Sequence, residues 1–291
     1  MRKLQAECII DEKAQLGEGP VWDDRLKELF WVDIEGRKLH RLRPADGGRR
    51  TYELGQKIGA AVPSESGGWI VGLQDGLYRL DLESGRTELL AASPEAALNN
   101  RFNDGKCDAS GRLWIGTMSG KWQADGTLYT LEQGKLTERV PGVVCSNGLA
   151  WSLDNRTLYY IDSGDKTVNA FDYDAASGAI SNRRTVIDAS PDNEGGPDGM
   201  CIDEEGMLWI GHWGGWQVAR WNPVTGEKIA KIEIPVANVT SCAFGGDNLD
   251  ELYITTARAG NDDSALESQP LAGGIFRAKP GVRGFAVDRA Q

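Results

Sequence analysis

Histidine is almost missing from this sequence: His40 and His212 are the only two among 291 residues. That scarcity excludes a zinc centre of the usual histidine type, and with no GxSxG elbow present, nucleophilic serine catalysis lacks its parts. Five cysteines (Cys8, Cys107, Cys145, Cys201 and Cys242) are an odd number without a CxxC pair. They make no disulfide framework and read as reduced core thiols, which fits a cytoplasmic protein. No apolar run approaches the length of a membrane span, and Asp11 and Glu12 interrupt the opening MRKLQAECIIDEKAQLGEGP before a secretory core can form. Positive charge is in deficit as well, 32 Lys and Arg against 43 Asp and Glu for a net charge of −11, and the basic residues are scattered. Nucleic acid and anionic membrane are therefore excluded as expected partners.

What is present is a repeat. Six aromatic-centred strand signatures recur at Trp31 (ELFWVDI), Trp69 (GGWIVGL), Trp114 (GRLWIGT), Tyr159 (RTLYYID), Trp209 (GMLWIGH) and Tyr253 (DELYITT), roughly 45 residues apart. Further strand-like runs surround each anchor, and 37 glycines supply the turns between them. Four short strands repeated six times predict an all-β fold, a six-bladed β-propeller with four-stranded antiparallel blades around a central channel, as a single domain over residues 1–291. The alternating segment from Ala6 precedes the first blade and is expected to close the ring as the outermost strand of the last one. His40, in RKLHRLRP, reads as an outward-facing residue, whereas His212, just after LWIG, could approach the channel mouth.

Laid over one another, the repeats place a distinctive turn 11 to 13 residues before each anchor. Those positions hold Glu18 in GEGPVWD, Asn103 in FNDGKCD, Asn147 in SNGLAWS, Asp198 in PDGMCID and Ser241 in TSCAFGG; only the second repeat, near Ile58 and Gly59, offers nothing polar. The first strand of each blade lines a propeller channel, so two carboxylates and two carboxamides should converge at one mouth. An oxygen-only donor set of this kind suits a single hard divalent cation: calcium first, with magnesium, manganese or zinc as alternatives.

The blocks LGEGPVWD, LNNRFNDGKCDASGRLWIGTM, SNGLAWSLD, AFDYDAASGAISNRR, PDGMCIDEEGMLWI, TSCAFGG and LAGGIFR cover nearly the whole chain. In them the sequence resembles the gluconolactonase and regucalcin family of sugar-lactone hydrolases. The resemblance implies Glu18, Asn147 and Asp198 as direct metal ligands, with Arg101 and Asn103 holding substrate. It departs from the vertebrate members after GTM, where they carry an acidic residue that reaches substrate; here TMSGKWQADG places Lys121. The implied reaction is metal-dependent hydrolysis of an aldonolactone to its aldonic acid, with Asp198 as ligand and general acid/base. Two other readings stay open, an organophosphate or ester hydrolase and a non-catalytic calcium-binding propeller.

Overall fold

The computed structural model describes residues 2–190 and 194–291. Its strands form six sheets, each built on four antiparallel neighbours, in the order of a six-bladed propeller. The first blade shows the plan, running outward from Gly17–Asp23 through Glu28–Asp33 and Lys38–Arg43 to Gly48–Glu53. Burial in this blade falls from a fully buried second strand to an outer strand with one buried residue in six. Outer edges thus carry charge, and the hydrophobic material lies between blades.

Trp31, Trp69, Trp114 and Trp209 are among the largest fully buried side chains, and Trp69 packs on Phe30 of the preceding blade at a centroid distance of 4.0 Å. Burying an aromatic this completely is worth about 3 to 5 kcal/mol against alanine. The anchors are not all in one structural phase. Trp114, Tyr159 and Trp209 pair with Lys106, Ala150 and Cys201, while the equivalent partner of Trp22 is Leu29, two residues before Trp31. A shift of two keeps a side chain on the same face of a strand, so the aromatic slot is filled from either position.

The ring closes from both chain ends. Glu7–Ile10 pairs antiparallel with Ile275–Ala278 as the outermost strand of the sixth blade, as the sequence predicts. Beyond that expectation, Arg2–Gln5 runs parallel to Lys228–Glu233 and gives the fifth blade a fifth strand. The C-terminal residues 284–291 cross the far face of the propeller. Gly284 N–H donates to Leu249 O, Arg289 Nη2 to Asp23 Oδ1 at 2.6 Å, Ala290 N–H to Pro63 O and Gln291 N–H to Gly111 O, which ties the sixth, first, second and third blades together.

Candidate functional site

Every inner strand carries a break in its ladder at the same place. Register shifts fall between Glu18 and Val21, Phe102 and Gly105, Ser146 and Leu149, and Pro197 and Met200. Bulges re-aim side chains and release residues from pairing, and the released residues here include Asn103, Asn147 and Asp198. The second blade has its shift between Ile58 and Ala60, at Gly59. A Cβ on Gly59 would lie 2.1 Å from Phe102 O and 2.6 Å from Asn103 O, so the missing side chain is what lets the third blade's strand come in. Gly199 plays the corresponding part beside Asp198, where a Cβ would meet Ser241 Oγ at 2.1 Å.

Four of the residues singled out from the sequence are brought together and buried. Glu18 and Asp198, each 6% exposed, lie close enough for each carboxyl group to feel the other. Burial, and then the neighbouring charge of Asp104, raises the Glu18 carboxyl above its ordinary range; burial, and then the charge of Glu18, raises Asp198 further. Asn103 Nδ2 donates to Asn147 Oδ1 at 3.1 Å and to Ser146 O at 2.7 Å. Arg101 Nη1 donates to Asn103 Oδ1 at 2.5 Å and its Nη2 reaches Met118 Sδ at 3.1 Å, so the guanidinium is buried beside the ring rather than on the surface. Lys121 stands apart on an exposed segment three residues past Met118, at the end of the blade where Arg101 begins the inner strand. Its backbone N–H donates to Ser119 Oγ.

Three further residues belong to the arrangement and are not visible in the repeat phase. Asp104 supplies a third, half-buried carboxylate whose field reaches both Glu18 and Asp198. Ser163 Oγ accepts from Asn147 Nδ2 at 2.7 Å and donates to Pro197 O at 2.9 Å, which turns the carboxamide so that Oδ1 lies toward Asn103. Lys106 Nζ donates to Leu149 O and Met200 O at 2.9 Å each. Their signal is a contact between blades, which no single repeat contains.

Asp33 and Asp162 act at equivalent places one strand out. The Asp33 carboxylate accepts from the backbone N–H groups of Gln15, Leu16 and Gly36, and that of Asp162 from those of Val144, Cys145 and Gly164. Each fixes the approach of the chain two to three residues before Glu18 or Asn147. On the third blade Glu95 accepts from Asn100 Nδ2, Thr117 Oγ1 and Tyr129 OH at 2.7 to 2.8 Å, anchoring the segment that leads into Arg101.

The histidines take no part in this ring. His40 is buried, contrary to the outward reading: it stacks on Trp31 at 5.1 Å and its Nδ1 meets Thr51 Oγ1 at 3.1 Å. The reason is its place in the third strand of the blade, where the Trp31 ring covers it. His212 is buried too, stacked on Trp221, with Nδ1 against Glu194 O at 3.1 Å.

A cavity of about 680 Å³ occupies the channel on the other side of the ring. Asp104 and Lys106 lie at its head and Phe285–Asp288 of the crossing tail at its foot, between walls that include Trp22, Trp151 and Phe244. Ser241 lines it as well, whereas Glu18, Asn103, Asn147 and Asp198 do not.

Glu18, Asp198 and Asn147 Oδ1 could serve as an oxygen-only donor set, its two carboxylates each raising the charge cost of the other. Such a pair is costly without a positive charge between its members, and a hard divalent cation fits it. Among the described residues no three His, Cys, Asp or Glu side chains form a metal-binding group, so any cation here would rely on the carboxamide as its third donor. Calcium, magnesium and manganese accept such a ligand more readily than zinc.

Residues 16–258 match the model of the SMP-30/gluconolactonase/LRE-like region. The chain is similar to regucalcin of Xenopus laevis, 40% identical over 294 residues and 98% of each chain. Its fold is similar to that of a calcium-binding protein, regucalcin, from Agrobacterium tumefaciens, with a TM-score of 0.94 and 30% identity over 100% of this chain and 99% of that one. It is also similar to a luciferin-regenerating enzyme, with a TM-score of 0.93 and 33% identity over 98% and 99% of the two chains.

Proposed function

The chain belongs to the SMP-30/gluconolactonase/LRE-like family, and from that premise we propose that it hydrolyses a sugar lactone to its aldonic acid at the Glu18, Asn147 and Asp198 ring. The observation that carries the reading is the buried carboxyl pair of Glu18 and Asp198, flanked by an arginine and two carboxamides in the same layer. A scaffold that only packs blades has no use for two buried carboxylates with a third, half-buried one beside them. Glu18, Asn147 Oδ1 and Asp198 would hold one divalent cation, calcium first, with magnesium, manganese or zinc as alternatives. When bound, the cation supplies Lewis acidity toward the lactone carbonyl and toward a water.

The chain's own groups do the rest. Arg101 and Asn103 orient the ring hydroxyls, Asn103 through its carboxamide oxygen, and set the carbonyl over the carboxyl pair. Water adds to the carbonyl carbon, the bond from that carbon to the ring oxygen breaks, and the ring oxygen takes up a proton. Asp198 carries that proton between the two, which suits a carboxyl whose burial and neighbour keep it protonated more readily than an exposed one. Lys121 at the rim meets the parts of the substrate farthest from the reacting bond.

A pH-indicator assay tests this. Metal-stripped protein is offered a panel of aldonolactones, with calcium, magnesium, manganese and zinc added back singly. Acid release on at least one lactone that depends on the cation is the expected result. Folded, cation-binding protein that opens none of them would overturn the reading and favour the binding scaffold, and release from organophosphates alone would favour the other hydrolase.

A further inference from the structure

Lys106 is the only side chain whose described hydrogen bonds join the two inner strands that carry Asn147 and Asp198 from a third. It lies on the strand Arg101–Cys107, three residues past Asn103. Its ammonium donates to Leu149 O and to Met200 O at the same distance, 2.9 Å. Each carbonyl belongs to the first residue paired again after the bulge, and each lies two residues past a proposed ligand, Asn147 or Asp198. Two residues of extended chain span about 7 Å. The channel-side edge of an inner strand has no neighbour to donate to its carbonyls, so the ammonium fills a position that a seventh strand would otherwise have to take.

The geometry points to Lys106 as a positioning residue that fixes the separation of Asn147 and Asp198, and through it the affinity and size selectivity of the cation site. One point donor with two equal bonds holds the fourth and fifth blades at a set distance just beneath the ligands. Asp104, two residues earlier, and Asp288 of the crossing tail both feel its charge, and Asp104 and Lys106 together line the 680 Å³ cavity. Ser163 ties the same two strands at the level of the ligands, through Asn147 Nδ2 and Pro197 O. Lys106 and Ser163 brace the pair from below and at its side. The inference rests on the assignment of Glu18, Asn147 and Asp198 as ligands, and it concerns spacing, not chemistry.

The test is a chelator-dye competition titration of stripped, full-length protein with Ca²⁺ and separately with Mg²⁺, for wild type, Lys106→Met and Lys106→Arg. Residues that orient ligands from outside typically cost 10- to 100-fold in metal affinity when lost. Lys106→Met is expected to weaken Ca²⁺ binding at least about tenfold and to change the ratio of the Ca²⁺ and Mg²⁺ constants, because a looser site no longer matches one ionic radius. Lys106→Arg, which keeps donors for both carbonyls, should recover part of the Ca²⁺ affinity. General destabilisation would not restore affinity in the arginine variant alone, and the thermal midpoint of each stripped variant monitors it. If Lys106→Met does not fold, the loss and ratio are read from Lys106→Gln. Unchanged constants in a folded variant would overturn the positioning role while leaving the ligand assignment standing; wild-type protein that binds neither cation would overturn both.

Discussion

At the scale of single residues, burial decides which groups matter. His40 is 2% exposed, and burial depresses its imidazole from 6.5 to about 4, with the Asp33 charge pulling the other way. Glu12 Oε1, 3.7 Å from Nδ1, and Lys38 are the other charges near the ring. A folded-state pKa below the unfolded one means the neutral form is favoured on folding. The stabilisation is therefore whole above pH about 6.5 and disappears as the pH falls toward about 4, an effect of about 3 kcal/mol at most. His40→Gln is expected to flatten the fall in unfolding free energy across that window in urea titrations, and a slope equal to wild type would contradict it. This burial was hidden in RKLHRLRP, where charged neighbours on both sides suggest a solvent-facing strand. Glu18, Asn103, Asn147 and Asp198 were legible because they share a phase in the repeat; Asp104, Ser163 and Lys106 were not, because each acts on a residue of another blade.

At the scale of elements, the propeller depends on strands borrowed from its ends. Glu7–Ile10 completes the sixth blade and Arg2–Gln5 extends the fifth, with Ile10 buried and Leu4 and Cys8 packed against the core between those blades. Removing residues 2–14 would expose the edge of Ile275–Ala278 and the apolar face beside it. A loss of several kcal/mol is expected, lowering the midpoint of a cooperative thermal transition by about 10 °C or more; unchanged melting would show that closure does not depend on this strand. The alternating pattern from Ala6 revealed the antiparallel strand. The parallel strand was not readable, since RKLQ is too short and too polar to carry a period. Asp33 and Asp162 likewise close ELFWVD and TLYYID in plain view, yet only the backbone groups they accept from show that they set the entry to Glu18 and Asn147.

At the scale of the whole molecule, similar blades bring Glu18, Asn103, Asn147 and Asp198 together near one axis, and the crossing tail spans the far face. The period of the aromatic anchors made the architecture legible; the substrate sugar is not written in the repeat, because loops such as residues 119–125 lie outside the repeated strands. The ring is also a place where stability is given up. A carboxyl whose folded pKa is raised destabilises the fold above its unfolded pKa, so stripped Asp198→Ala should be at least as stable as stripped wild type at neutral pH. The most direct check of the central claim is calorimetric titration of both stripped proteins with Ca²⁺. The account predicts one site per chain in wild type and none in a folded Asp198→Ala, and equal binding by the two would contradict it.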